Sequence, residues 1–166
     1  IPLKHRVYTN GFLFQEKEGE RTLAIETVKE LDVEMSYYQK IKQGFDVPDI
    51  KGNMVANASI TFDPAPVKSY AYCSDSCYFE AIIPQIKKVT LLYHEATFLE
   101  KHSDLALKTM HSTAKEAASI AEKAEVGTLV LGHYSGRYNE YEAFKNEAQE
   151  IFSNTQLAQD GKVFEI

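Results

Sequence analysis

The sequence lacks several features that would place it outside the ordinary globular class. It has no uninterrupted apolar run of the roughly 18 residues that a membrane span requires. Its start, IPLKH, lacks the basic region and the long apolar stretch of a signal peptide. Basic residues are also scarce, since 18 Lys and Arg face 24 Asp and Glu for a formal net charge of −6. We therefore expect no membrane association and no broadly basic surface for nucleic acid, so any polyanion must be bound locally or through metal ions.

Cysteine is scarce as well. Cys73 and Cys77 are the only two, and they lie close together in the segment CSDSC. Two cysteines do not make a disulfide framework, so we expect a cytoplasmic protein. A metal site built on two cysteines needs a shorter spacing and further soft ligands, so the pair is better interpreted as two small, partly buried thiols.

The length and the first residue give different indications about completeness. A chain of 166 residues with 44% hydrophobic and 25% charged residues fits one globular domain. However, the first residue is Ile rather than Met, and it stands inside sequence that already has the pattern of a structured segment. We therefore expect the chain to begin partway through a longer protein.

The first half of the chain predicts short and irregular elements. Residues 6–15 combine β-branched and aromatic residues around Gly11, which predicts a strand with a bend or bulge. A short apolar piece follows at residues 22–28, and then a helical piece, YYQKIKQ, ends at Gly44. Residues 45–67 contain three prolines and predict hairpins and loops. Residues from about 17 to 58 are a candidate insert into the main domain.

The second half predicts strands alternating with helices. Three apolar runs of strand length, SYAYC, VTLLY and TLVLG, each end in polar residues. Alanines at helical spacing predict a helix from Thr113 to Ala124, with Thr113 and Glu116 as its capping box. Another helix is predicted from about Asn139. Its expected buried stripe consists of Tyr141, Phe144, Ala148 and Ile151. This alternation indicates a layered α/β domain.

Polar side chains with metal-binding chemistry follow the three predicted strands. They are Asp75, His94, Glu95 and His133. In open α/β layers, ligands bind beyond the carboxyl ends of the strands. A single histidine after a strand is more often structural, but the coincidence across three strands favours a site. Imidazole and carboxylate together suit zinc, manganese or iron(II), and an aspartate shared between two such strands could bridge a metal pair.

His111 precedes the capped start of the predicted helix at Thr113. Free amides and the positive end of a helix attract a phosphate or another anion there. A histidine at that place can donate a proton to a departing oxyanion. The alternative is that His111 only extends the helix cap, and the spacing does not decide between the two.

Four segments, in this order and spacing, resemble the second half of ribonuclease Z, the tRNA 3′-end processing endonuclease of the metallo-β-lactamase superfamily. They are YHEATF at 93–98, MHSTAKEAA at 110–118, LGHYSGRY at 131–138 and the tail NTQLAQDGKVFEI. The Ser-Asp pair at Asp75 and the opening PLKHRVYTNGF extend the resemblance over nearly the whole chain. It implies an α/β, metallo-β-lactamase-like αββα sandwich. Residues 1–166 would be approximately its C-terminal half, with a mixed sheet covered by helices.

The resemblance implies a role for each matching residue. The metal ligands would be His5, Asp75 and His133, with Asp75 bridging two metals. Glu95 and His111 match a proton relay to the leaving ribose oxygen, which makes His94 structural. Five further residues are expected to contact substrate, the first two through backbone amides to phosphate and the others around the discriminator end. They are Ser112, Thr113, Ser135, Arg137 and Tyr138.

The implied activity is removal of the 3′ trailer of precursor tRNA by phosphodiester hydrolysis, in a cytoplasmic homodimer. The implied cofactor is Zn²⁺, two ions per complete site, with Mn²⁺ or another divalent metal possible. However, the family's main metal motif, His-x-His-x-Asp-His, is absent from this sequence. We therefore expect a missing N-terminal half to carry it, and this chain alone to be inactive. The insert also lacks the Pro-Pro-Gly-Pro run of the family's tRNA-gripping arm.

Two other functions remain open at this point. The chain could belong to another metallo-β-lactamase-fold hydrolase, a phosphodiesterase or an arylsulfatase-like enzyme that acts on small esters. It could also be a non-catalytic half used for binding or assembly, because it lacks the main metal motif.

Overall fold

The computed structural model describes residues 1–166, which form two compact units. The sheet unit comprises Ile1–Gln15 and Lys68–Ile166, and the insert unit comprises Glu16–Val67. The sequence predicts an insert at about residues 17–58, whereas the compact unit continues to Val67. None of the helices has the length and apolarity needed to span a lipid bilayer.

The elements are short in the first half and longer in the second. The strands are β1 (Pro2–Leu3), β2 (Thr9–Asn10), β3 (Phe12–Gln15), β4 (Thr22–Leu23), β5 (Val47–Pro48), β6 (Met54–Val55), β7 (Thr61–Phe62), β8 (Ser69–Cys73), β9 (Leu91–Glu95), β10 (Thr128–Gly132) and β11 (Thr155–Leu157). The α-helices are α1 (Ile25–Glu30), α2 (Tyr38–Lys42), α3 (Ile83–Ile86), α4 (Ser103–Thr109), α5 (Ala114–Ala124) and α6 (Glu142–Gln149). Short 3₁₀ turns lie at Met35–Tyr37, Asn57–Ser59, Glu80–Ile82 and Glu100–His102.

The sheet unit is built on a five-stranded mixed sheet in the order β11-β10-β9-β8-β3. Strands β8, β9, β10 and β11 are parallel neighbours, and β3 pairs antiparallel with β8. The predicted bend in the first strand is present, because Gly11 separates β2 from β3. A Cβ at Gly11 would lie 2.5 Å from the carbonyl oxygen of Tyr72, so only glycine allows this close approach.

The core of the sheet unit lies between the sheet and its helices. Helix α5 has the predicted capping box, since the Thr113 hydroxyl accepts from the Glu116 amide and the Glu116 carboxylate accepts from the Thr113 amide. Its alanine face packs in one cluster with apolar residues of β8, β9 and β10 and with Phe144 of α6. The last helix begins at Glu142 rather than near Asn139, so Tyr141 of the expected stripe precedes it and is only partly buried. Ile151 lies beyond the end of α6 and is 37% exposed, so the stripe is wrong there as well.

The insert unit has a small core of its own. Strand β4 pairs antiparallel with β7, and β5 pairs antiparallel with β6. Five buried residues form the core: Val28, Val33, Ile41, Val47 and Ile60. Ile60 and β7 explain why the compact unit extends beyond the predicted boundary, since both lie after residue 58. Gly44 follows α2 with a φ of 92°, which agrees with its predicted role as a helix stop.

Candidate active site

The parallel strands of the sheet bring three polar residues to one edge. Asp75 lies two residues after β8, Glu95 is the last residue of β9, and His133 directly follows β10. The Nε2 atom of His133 lies 3.3 Å from Oδ1 of Asp75. Both residues adopt left-handed backbone conformations, with φ of 57° at Asp75 and 60° at His133. Non-glycine residues rarely do so, and such conformations cluster at functional sites.

Two more histidines join this edge from other parts of the sheet unit. His5 comes from the loop after β1, and His111 from the segment before α5. The ring centroids of His5 and His111 are 4.9 Å apart, and those of His111 and His133 are 5.3 Å apart. Potential ligand atoms of His5, Asp75 and His111 all lie within 4.8 Å of one another. The structure thus brings together the residues that the sequence predicts as ligands and relay.

The three imidazoles are anchored in the same way, through Nδ1. The partner of His5 Nδ1 is the Met110 carbonyl oxygen at 2.8 Å, and that of His111 Nδ1 is Glu95 Oε1 at 2.9 Å. The Nδ1 atom of His133 lies 2.9 Å from the Thr97 hydroxyl. This leaves Nε2 of each ring for another partner, which for His133 is the Asp75 carboxylate at 3.3 Å. Metal-binding histidines are typically held in this manner, with one ring nitrogen bound to a protein oxygen and the other bound to the ion.

Glu95 is fully buried, and its carboxylate accepts four hydrogen bonds. Oε1 accepts from the Ser76 amide at 2.6 Å and from His111 Nδ1 at 2.9 Å. Oε2 accepts from the Thr97 hydroxyl at 2.5 Å and from the Ser112 amide at 3.1 Å. A carboxylate has about four lone-pair sites, so these donors use its capacity. Although Glu95 lies within ligand distance of His111 and His133, this bonding fits an anchor for His111 better than a metal ligand.

The donor set of the site fits a divalent cation. Imidazole nitrogen and carboxylate oxygen are ligands that zinc and manganese accept. His5, Asp75 and His133 would supply two nitrogens and one carboxylate on this basis, each ring with its Nδ1 already bonded to the protein. Three residues are fewer than two metal ions require, which agrees with the absence of the His-x-His-x-Asp-His motif.

The expected phosphate contacts of Ser112 and Thr113 are not available in this structure. Both residues are fully buried. The Ser112 amide donates to Glu95, and the Thr113 amide donates to Glu116 at 2.8 Å. Because both amides already have carboxylate partners inside the fold, the two residues hold the segment before α5 instead of binding an anion.

The other three predicted substrate residues lie in the loop after β10 and differ in exposure. Arg137 is exposed, and its guanidinium lies 5.4 Å from the centre of the Phe98 ring. Its Nε lies 3.3 Å from the hydroxyl of Ser135. The Tyr138 hydroxyl accepts from the Leu99 amide at 3.1 Å and lies 2.5 Å from Nδ1 of His102. Arg137 is therefore available to a ligand, whereas the Tyr138 hydroxyl is used within the fold.

His94 is separate from this cluster, although it follows the apolar run of β9. It is 1% exposed, its Nδ1 donates to the Glu95 carbonyl at 2.8 Å, and its Nε2 has no partner. Burial lowers its pKa, which favours the neutral ring. The two thiols are buried rather than partly buried, and burial raises the pKa of Cys73 to about 12. None of these groups takes part in the site.

Thr97 contacts both Glu95 and His133 but is not among the residues that the sequence predicts for the site. The residue lies inside the segment YHEATF, yet a threonine there carries no spacing signal of its own. Its contacts join residues that are far apart along the chain, so only the folded structure brings them together.

The chain was compared with known proteins. No family model matches it. The ribonuclease Z of Cytophaga hutchinsonii is 46% identical over 165 residues, which cover 99% of this chain and 52% of that protein. The ribonuclease Z of Parabacteroides distasonis is 45% identical over 161 residues, which cover 97% of this chain and 53% of that protein. The chain is a homologue of ribonuclease Z. It spans about half the length of the curated relatives that it matches.

Solved structures agree with the ribonuclease Z resemblance. The metallo-β-lactamase fold protein YhfI from Bacillus subtilis is 28% identical, with a TM-score of 0.55 over 58% of this chain and 39% of that chain. A long form RNase Z from yeast is 25% identical, with a TM-score of 0.52 over 61% of this chain and 14% of that chain. These neighbours confirm the predicted α/β, metallo-β-lactamase-like fold. The relatives confirm the family predicted from the sequence, and the C-terminal half fits them.

Proposed function

We propose that this chain is the C-terminal part of a metal-dependent endoribonuclease that removes the 3′ trailer of precursor tRNA. The observation that carries the proposal is the pairing of His111 with the buried Glu95 carboxylate at 2.9 Å, beside the ligand atoms of His5 and Asp75. A proton donor next to a set of metal ligands suits phosphodiester hydrolysis, where a leaving oxygen must be protonated. The ribonuclease Z relatives support the choice of RNA as substrate.

His5, Asp75 and His133 would hold the metal, with zinc as the first candidate and manganese as the second. When bound, the cation supplies Lewis acidity to a phosphoryl oxygen and lowers the pKa of a coordinated water. At this edge His133 Nε2 and Asp75 Oδ1 are 3.3 Å apart, and the His111 ring centroid lies 5.3 Å from that of His133.

His111 is the proposed proton donor. Its Nδ1 donates to Glu95, so Nε2 is the nitrogen that faces a ligand and can release a proton to the leaving ribose oxygen. The Glu95 carboxylate orients the ring, as a buried carboxylate does for a catalytic histidine in other enzymes. Ser76 and Ser112 amides hold Glu95 in turn.

A complete site requires residues beyond this chain. We propose that an N-terminal half with the His-x-His-x-Asp-His motif supplies the remaining ligands, and that this chain alone is inactive. This chain matches only about half the length of each relative, which supports this division. The predicted homodimer and cytoplasmic location remain predictions.

RNA binding has to be local, because the formal net charge of the chain is −6. Arg137 is the proposed phosphate contact, since its guanidinium is exposed and lies over Phe98, whose ring centre is 6.5 Å from that of His111. The insert unit is less suited to binding RNA phosphates, because it contains ten acidic and six basic residues. We therefore propose no tRNA-gripping role for the insert unit.

The proposal is tested by reconstitution. The chain is co-expressed with the part of the Cytophaga hutchinsonii relative that it does not match and assayed on 3′-extended precursor tRNA with Zn²⁺ or Mn²⁺. We expect metal-dependent cleavage, and a loss of about 10²–10⁴-fold in kcat for His111→Ala. His102→Ala is the matched control, because His102 lies in the same unit but its ring contacts Tyr138 and not the Glu95 carboxylate.

Failure of cleavage with both halves folded would contradict the proposal. A small phosphodiester, assayed in parallel, separates the alternatives. Faster turnover of that ester than of precursor tRNA would favour a small-ester hydrolase, whereas complex formation with neither activity would favour a non-catalytic assembly half.

A further inference from the structure

A chain of hydrogen bonds links the proposed proton donor to a proposed metal ligand through Thr97. The order is His111, Glu95, Thr97 and His133, and its three contacts measure 2.9, 2.5 and 2.9 Å. We propose that Thr97 is a positioning residue that fixes His133 in the tautomer with the proton on Nδ1, and so keeps Nε2 free for a metal ion. The tautomer rests on hydrogen bonding alone, while its use in metal binding rests on the proposed function.

The Glu95 carboxylate determines which group donates and which accepts in these hydrogen bonds. Its other three donors are two backbone amides, of Ser76 and Ser112, and the ring nitrogen of His111. Amides only donate, and an ionised carboxylate only accepts. The Thr97 hydroxyl must therefore donate to Oε2 of Glu95.

The hydroxyl of Thr97 has one hydrogen, which this bond uses. The contact between Thr97 Oγ1 and His133 Nδ1 then requires the ring to donate and the hydroxyl oxygen to accept. A neutral imidazole that carries its proton on Nδ1 has a lone pair on Nε2. That Nε2 lies 3.3 Å from Oδ1 of Asp75, a carboxylate that by itself would favour a proton on Nε2, so the shorter 2.9 Å contact with Thr97 has to decide the position of the proton.

The environment of Thr97 makes this assignment stable. The residue is 7% exposed, and its carbonyl accepts from the Ser135 amide at 3.1 Å, which ties it to the loop that carries His133. Water has little access to compete for the hydroxyl. The two rings His111 and His133 consequently depend on the same carboxylate, one directly and one through Thr97.

The test compares Thr97→Val, which has nearly the same shape without a hydroxyl, with Thr97→Ser, which retains the hydroxyl. The 166-residue chain is labelled with ¹⁵N-histidine, and the ring nitrogens are observed by NMR at alkaline pH, where imidazoles are neutral. We expect the Nδ1–H tautomer of His133 in the unchanged chain and in Thr97→Ser, and its loss in Thr97→Val. Zinc affinity, measured by calorimetry, should fall about 10–100-fold in Thr97→Val and recover in Thr97→Ser.

Thr155→Val is the matched control, since Thr155 is also buried but its hydroxyl donates to the Phe152 carbonyl. If packing prevents Thr97→Val from folding, Thr97→Ala and Thr97→Ser still differ by one hydroxyl and give the same comparison. An unchanged His133 tautomer in the variant without the hydroxyl, or unchanged zinc affinity, would overturn the proposal. Failure of the reconstituted complex to cleave precursor tRNA would overturn the proposed function but not this tautomer.

Discussion

Each of the two units contains one buried polar side chain that bonds several segments together. In the sheet unit it is Glu95, and in the insert unit it is Asn57, which is 5% exposed. The Asn57 amide donates to the carbonyls of Ile41 at 2.7 Å and Phe45 at 3.1 Å, and its oxygen accepts from Thr61 at 3.0 Å. The two residues have similar burial and a similar number of partners, yet one is neutral and the other is acidic.

The difference lies in where each network ends. The side-chain bonds of Asn57 go to two backbone carbonyls and to Thr61, whose hydroxyl also accepts from Arg21, so they join segments of the insert unit and stabilise its fold. The bonds of Glu95 continue to His111 and, through Thr97, to His133, whose side chain is 40% exposed. Burying a charge is more costly than burying an amide. A buried carboxylate whose bonds lead to two histidines at the sheet edge therefore indicates a functional site, whereas an amide network that joins backbone segments indicates structure.

The largest expected effect comes from Glu95→Gln, which replaces two acceptors by one acceptor and one donor. Either orientation of the new amide places its NH₂ group against a backbone N–H, that of Ser76 or that of Ser112. We expect a loss of about 3 kcal/mol in the free energy of unfolding, because a buried donor is left unpaired next to another donor. Urea unfolding of the chain measures this loss, and ¹⁵N-histidine NMR should show altered His111 and His133 resonances.

Asn57→Asp is the matched exchange in the insert unit. It removes the donor that serves Ile41 and Phe45, so we expect about 1–3 kcal/mol of destabilisation. Hydrogen exchange should localise the change to Glu16–Val67, and the histidine resonances should stay unchanged, since all five histidines lie in the sheet unit. Altered histidine resonances in Asn57→Asp would show that the insert network also supports the site.

A smaller effect on stability is expected from a change in pH, and it should differ between the two units. Burial lowers the pKa of His94 in the folded chain, so below the ordinary imidazole value of about 6.5 the unfolded state binds more protons. The stability of the sheet unit should therefore fall as pH decreases through that range, by at most about 1.4 kcal/mol per pH unit from this residue. The insert unit contains no histidine and should not show this slope.

His94→Asn isolates the contribution of His94 to this pH dependence. The asparagine amide can still donate to the Glu95 carbonyl, but it does not titrate. Unfolding in urea at several pH values should give a flatter slope for the variant than for the unchanged chain. Equal slopes would mean that other imidazoles of the sheet unit account for the pH dependence.

The same contrast separates what the sequence predicted well from what it did not. In the sheet unit, apolar runs predicted β8 and β10 at their observed bounds, and the capping box predicted the start of α5. Such patterns are local, because a buried strand or an amphipathic helix repeats every few residues. The insert unit has strands of two residues each, which are too short to produce a periodic pattern. Its end was therefore predicted too early.

The candidate site was predictable as a set of residue types and not as a network. His5, Asp75, Glu95, His111 and His133 were named from motifs, and the fold brings them to one edge. The roles expected for the Ser112 and Thr113 amides depended on which groups are already bonded, and that is decided by Glu95 and Glu116 in the folded chain. The contribution of Thr97 has the same origin, since a hydroxyl between two polar groups has no sequence pattern.

The smallest expected effect concerns the thiols, which lie in the sheet unit alone and so report on its opening. Burial raises the pKa of Cys73 to about 12, so only about one thiol in ten thousand is ionised at pH 8, and the side chain is also fully buried. In a Cys77→Ser background, alkylation of Cys73 should occur only when the sheet unit opens. Glu95→Gln should accelerate it, whereas Asn57→Asp should leave the rate unchanged. Equal acceleration by both variants would mean that the two units open together, and the two buried networks would then stabilise one cooperative structure.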